Sequence, residues 1–325
     1  MRWLIFAAVA SSCLQGVASF GESQKFLIVS SPLTGHVAYL KLPPDGSPAT
    51  ADGQAMRSLI TTGLVFPQGL AVDDHRQRLF VADPNQTGLV MYPLTSNGDT
   101  LCVGSPKTVA SGVQARAVSV DGLGNVVFSD EPTNRILRVS ARSIDEGKTS
   151  PEVIYDGSTV PNLKAPGGVA MDNYFVYWLN KAGAPQAGTL IRGQQYATVA
   201  SMTNASAAVK LLASNAPKCY GVCLAGGNIF YTDEANHVYG VNRAATSRHV
   251  VTTISSSFKA PRGCVSDGSG TVYVADKLQN AVYRFASGVD TEPLLPRPIV
   301  KAADLQGAFG LAIHDVGYQS PGLLR

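Results

Sequence analysis

Pro67-Gln68-Gly69-Leu70-Ala71-Val72-Asp73 is followed, four residues later, by Arg78-Leu79-Phe80-Val81-Ala82-Asp83. Each run is short, apolar and closed by an aspartate. Leu, Val and Phe dominate, and the link between the runs is polar. They read as two antiparallel strands joined by a tight turn, not as helices.

The same unit recurs along the chain. First strands of this kind, each opening at a Gly-like position, lie at 69–73, 117–121, 168–172, 221–225, 263–267 and 310–314. Their ends are 42 to 53 residues apart. Five are followed by a second strand, at 78–83, 125–130, 175–180, 228–233 and 271–276. Turns such as Asp121-Gly122-Leu123-Gly124-Asn125 supply residues that accept positive φ. Third strands follow at 89–92, 135–139, 189–192, 237–241 and 281–285. Weaker fourth strands are placed at 107–110, 152–155, 209–213, 250–254 and 299–302. Near the N-terminus, 26–29, 36–40 and 58–61 supply strands two to four without a first. The C-terminal 307–314 supplies a first strand with nothing after it. Joined, the two ends complete a sixth unit. The expected fold is therefore all-β, a six-bladed β-propeller with four antiparallel strands per blade, closed by pairing the N- and C-terminal strands.

The 67–83 unit resembles an NHL repeat. So does Ala260-Pro261-Arg262-Gly263 with Val272-Tyr273-Val274-Ala275-Asp276 and Asn280-Ala281-Val282-Tyr283-Arg284-Phe285, and so does Asn134-Arg135-Ile136-Leu137-Arg138-Val139. Ile229-Phe230-Tyr231-Thr232-Asp233 resembles the YWTD repeat of lipoprotein-receptor propellers. The resemblance spans nearly all of the chain and implies a six-bladed propeller. It does not imply an activity, because this scaffold carries enzymes and binding modules alike.

Composition narrows the classes. Of 325 residues, 26 are Lys or Arg and 23 are Asp or Glu, and charged residues make up 15%. No basic block is present, which argues against nucleic-acid binding. Gly226-Gly227 reads as a hairpin turn and not as a phosphate loop. A basic start, an apolar run at 3–10 and a taper into small residues mark 1–19 as a secretory signal peptide, leaving 20–325 as one domain. No later stretch is long and apolar enough for membrane insertion. The expected location is secreted, extracellular or the secretory lumen. There disulfides form, and the sequons at Asn85 and Asn204 are candidate glycan sites.

Cys223 sits one position beyond the place Cys264 holds in the next first strand. The two therefore belong to opposite faces of neighbouring blades, where a bond can form across the interface. Cys219 is the rival partner for Cys223. Cys102, far around the ring, reads as a free or intermolecular thiol.

Strand order sorts the connections onto two faces. Fourth-to-first and second-to-third connections form the top, and the others the bottom. At the top mouth, just before the inner strands, stand Gln68, Arg116, Gly167, Tyr220, Arg262 and Phe309. They differ between blades where the strands do not, so they are the candidate ligand-binding residues. Two arginines and two aromatics suit an acidic or amidated peptide end, or a sugar. The alternative is that they only plug the channel. Asp83, Asp130, Asn180, Asp233 and Asp276 end the second strands and read as structural, accepting backbone N–H groups.

The enzyme reading draws on propellers that resemble lactonases and lyases, with a metal in the channel. His36, His75, His237, His249 and His314 do not converge there in this strand assignment. Glu131 and Glu234 are weak candidates for a calcium ion, and no other cofactor is expected. The reading is a non-enzymatic binding or scaffold module for an extracellular protein, peptide or glycan. Its alternative is a calcium-dependent lactonase- or esterase-like hydrolase, or a lyase.

Overall fold

The computed structural model describes residues 24–43, 54–86, 88–160, 163–181, 188–196, 209–244, 250–288 and 293–317. The expected signal peptide, Asn204 and His249 lie outside them. Six antiparallel sheets follow one another around a central channel. The chain is a six-bladed β-propeller.

Blade one is built from Leu311–Val316, Gln24–Ser31, His36–Lys41 and Arg57–Ile60. Its first two strands come from opposite ends of the chain and pair from Gln24↔Val316 to Val29↔Leu311. The closure continues upward: Ser30 N donates to Gly310 O at 2.9 Å, and Phe309 N donates to Ser30 O at 2.9 Å. Blade two starts at Leu70–Asp73, blade three at Ala115–Val120 and blade four at Pro166–Met171. Blades five and six start at Cys219–Ala225 and Pro261–Ser266.

The outer parts hold structure beyond the four strands of each blade. Segment 95–105 is a hairpin. The third strand of blade two runs through Gly88–Asn97 and returns as Thr100–Val103. Buried Leu94 and Leu101 anchor it. The 141–150 loop contains a short helix, Ala141–Asp145, capped by the Ser140 hydroxyl, which accepts from Ser143 N at 3.1 Å. From the 43–55 loop, Gln54–Ala55 pairs in parallel with the outer strand of blade six. His314 lies inside the closing strand and is buried.

The core consists of six apolar layers, one between each pair of neighbouring blades. Strand alternation divides the side chains between them. Phe26 and Ile28 pack toward blade two, while Leu27 and Val29 pack toward blade six. This is why the second strands are apolar at nearly every position: both faces are covered. Full burial of each large side chain contributes roughly 1.5–3 kcal/mol.

Cys223 and Cys264 form a disulfide between blades five and six, with Cα atoms 5.6 Å apart. Cys219 is buried and free, so it does not compete for Cys223. Cys102, read from sequence as a free or intermolecular thiol, is disulfide-bonded. Among the described residues, no helix is long and apolar enough to cross a membrane.

Candidate ligand site at the top of the channel

The mouth residues owe their position to a repeated backbone irregularity. In blades three to six the pairing of first and second strands slips by one residue near the top. Two residues then oppose one: Arg116 and Ala117, Gly167 and Gly168, Tyr220 and Gly221, Arg262 and Gly263. A bulge re-aims its side chain away from the regular pleat. Arg116, Tyr220 and Arg262 thereby reach the channel mouth, together with Gln68 and Phe309 from blades two and one.

The second residue of each pair brings the inner backbones together. A Cβ on Gly310 would lie 1.8 Å from Gln68 O, one on Gly221 2.1 Å from Arg262 O, and one on Gly168 2.3 Å from Tyr220 O. No side chain fits such gaps, which explains the Gly-like start of the repeat. Hydrogen bonds then run around the ring. Gly69 N donates to Arg116 O at 3.1 Å, and Gly263 N to Phe309 O at 2.8 Å. Elsewhere a hydroxyl bridges. Ser30 Oγ donates to Gln68 O at 2.7 Å, Ser129 Oγ to Gly167 O at 2.6 Å, and Thr232 Oγ1 to Arg262 O at 2.7 Å. The same oxygens accept from Gly310 N, Ala117 N and Gly221 N. The mouth residues are thus fixed through their own backbone.

Above this ring is a cavity of about 120 Å³, lined by Gln68, Arg116, Lys181, Tyr220, Arg262 and Phe309 among others. Lys181 was not anticipated from sequence. It follows Asn180 just as Glu131 follows Asp130 and Glu234 follows Asp233, so its register was readable. Its stem crosses the space that a side chain on Gly167 would fill, 3.4 Å away. Its ammonium lies 2.7 Å from Glu131 Oε2, which is also 2.6 Å from Arg116 Nε. These form an ion triad, although Arg116 Nε and Glu131 Oε2 are not aligned as a hydrogen bond. Arg262 lies 4.1 Å over the Tyr220 ring, and Lys181 5.6 Å from it. Burial pushes Lys181 below its ordinary pKa, and Glu131 opposes that shift. Burial likewise lowers Arg262 and raises Tyr220.

This donor set does not fit calcium. The cavity wall carries three cations and no carboxylate. Of the two acids considered for a metal, Glu131 is held by Arg116 and Lys181, and Glu234 by Lys218 at 3.1 Å. Among the described residues, no three His, Cys, Asp or Glu side chains group for a metal.

The acids ending the second strands face their own top connections. Asp83 accepts from Val65 N at 2.7 Å and Phe66 N at 3.0 Å. Asp276 accepts from Lys259 N at 2.6 Å and Ala260 N at 3.1 Å. Asp130 accepts from Gln114 N at 3.2 Å, and Asn180 Oδ1 from Lys164 N at 3.1 Å. Asp233 instead turns to its following loop, accepting from Asn236 N and His237 N. Each ties an incoming or outgoing connection to its blade. Asn85 is exposed on the top rim, in the short helix Pro84–Gln86.

Below the glycine ring the channel widens to about 480 Å³, with Lys25, Asp74, Asp267 and Asp315 on its wall.

No family model matches the chain, and no curated protein does. Solved structures do. A chain of the nidogen/laminin complex is 15% identical, with a TM-score of 0.62 over 89% of this chain and 98% of that one. A gluconolactonase from Xanthomonas campestris is 11% identical, with a TM-score of 0.56 over 90% of this chain and 91% of that one. At these identities the likeness is one of fold.

Proposed function

We propose that this propeller is an extracellular binding module that reads its ligand at the top mouth. The ligand class is a protein, a peptide or a glycan. The observation that carries the reading is the set of blade-specific side chains on a blade-invariant frame. Arg116, Tyr220 and Arg262 differ from blade to blade, yet each stands on the same fixed backbone ring, and Lys181 reaches in beside them from the end of a second strand. Such a site costs little ordering on binding, which favours recognition. Its cationic wall favours anionic or hydrogen-bond-accepting groups. The Cys223–Cys264 bond agrees with passage through an oxidising compartment.

The test has two parts. Expression in a secreting eukaryotic cell should yield medium-borne protein that begins near residue 20 and shifts on glycosidase treatment. That protein is then screened on peptide and glycan arrays. Binding should vanish in Tyr220→Ala and persist in Asp74→Asn at the bottom. The reverse pattern overturns the mouth as the site. Stoichiometric metal in the purified protein, lost together with hydrolysis of a lactone or ester, overturns the module in favour of the hydrolase.

A further inference from the structure

The mouth cations are not equivalent. Arg116 and Lys181 share one internal acid, Glu131. Arg262 forms no ion pair among the described residues, and Glu234, Asp276 and Asp233 act on it only from a distance. Its Nη1 donates to Pro261 O at 2.9 Å, and its guanidinium carbon lies 4.1 Å from the centre of the Tyr220 ring. A guanidinium has five donors, and Arg262 lines the cavity with no further acceptor for the rest among the described residues. A half-buried, unpaired cation destabilises the fold unless something pairs with it.

We propose that the mouth recognises a single carboxylate and that Arg262 receives it. Tyr220 is the platform beneath, and Gln68 with Phe309 contacts the atoms attached to the carboxylate. This rests on the mouth being the binding site. Three features select a carboxylate. Tyr220 lies against the Arg262 guanidinium, whose free N–H groups can give two parallel bonds to two coplanar oxygens. A tetrahedral anion would aim further oxygens at the ring or at the carbonyls around the mouth. Glu131 already demonstrates a carboxylate seated among the neighbouring cations. Size sets the rest. The cavity is small, about 120 Å³, against the several hundred of a typical small-molecule pocket. It admits a carboxylate with a few attached carbons, either a peptide C-terminus or a small free carboxylic acid.

Calorimetry on the whole secreted protein tests this with N-acetylleucine, its amide, isoamyl sulfate, and one hexapeptide made as the acid and as the amide. Each acid should bind about tenfold or more tighter than its amide. Arg262→Gln should erase that preference, and Arg262→Lys should restore part of it; unchanged thermal melts establish that both variants are folded. A hexapeptide acid that binds more tightly than N-acetylleucine assigns a chain end, and equal binding assigns a small acid. Acid and amide binding alike, with both lost in Tyr220→Ala, overturns the carboxylate but keeps the mouth. A preference that survives Arg262→Gln, tighter binding of the sulfate, or no binding of any acid at tens of millimolar also overturns it. Probe binding indifferent to both Arg262→Gln and Tyr220→Ala overturns the mouth as well.

Discussion

The two ends of the channel are built from the same six strands and by opposite means. At the top, backbone meets backbone: glycines let neighbouring carbonyls approach, and three hydroxyls bridge where the direct bond is missing. At the bottom, single side chains do the joining. His314 Nδ1 lies 2.7 Å from Asp74 Oδ1, Lys25 Nζ donates to Asp267 O at 2.6 Å, and Gln195 Nε2 donates to Asp121 Oδ2 at 2.6 Å. The top cavity is about 120 Å³ with a cationic wall, and the bottom one about 480 Å³ with three aspartates and one lysine. A frame closed by backbone leaves side chains at liberty to vary. A frame closed by side chains does not. That contrast, more than the presence of a cavity, supports the proposal that recognition lies at the top.

The strongest way to break the comparison is to open the ring that both ends share. Deleting 307–325 removes the first strand of blade one and its pairing with Gln24–Ser31. The expected outcome is loss of the cooperative thermal transition by circular dichroism, because two core layers lose a wall at once. A truncated protein that melts at the full-length temperature would mean that closure does not hold the propeller. Next in size is Gly310→Ala. Its new methyl group would meet Gln68 O and Ser30 Oγ, so blades one and two must separate. The expected cost is about 3 kcal/mol in urea unfolding. Ser266→Ala, which lines the wide lower cavity and gives up only an exposed bond from Gly268 N at 3.2 Å, should stay within about 0.5 kcal/mol. Equal costs at the two sites would remove the distinction between a tight end and a loose one.

The fold was legible because burial on both faces leaves a strong sequence trace. Apolar second strands recur every 43 to 53 residues, and the incomplete first and last units complement each other. The mouth was legible for a related reason: it lies one residue before the glycine that the ring requires. Lys181 was missed because Gly167 looked like an empty position, whereas the lysine that follows the second strand packs beside it. The pairing of Glu131 with two cations also escaped. An acid beside a strand end looks alike whether it faces solvent, a metal or arginines. The hairpin at 100–103 was hidden by its polar tip and by its lack of a counterpart in other blades. Hydroxyls at Ser30, Ser129 and Thr232 were in view, but their bridging role depends on which carbonyl the next blade presents.

The smallest effect sharpens the contrast through pH. Tyr155 of blade three reaches across to blade four, where its hydroxyl donates to Gln194 O at 2.7 Å and its ring lies on Trp178. Burial pushes its pKa from 10.0 up to about 12. The neutral phenol is therefore favoured in the folded state. Its contribution is complete below pH 10, where the unfolded chain also keeps the proton, and is lost as pH rises through about 12. Tyr155→Phe should cost about 1 kcal/mol near neutrality, for the lost hydrogen bond. Between pH 10 and 12 its stability should fall less steeply than that of the unaltered protein. Urea midpoints across this range measure the difference, and parallel curves would show that the phenol carries no proton linkage. The same titration on Ser129→Ala, which removes a top bridge made by a group that does not ionise here, should run parallel to the unaltered protein throughout. A top variant that altered the alkaline slope as much as Tyr155→Phe would mean that the upper ring, too, depends on titrating side chains.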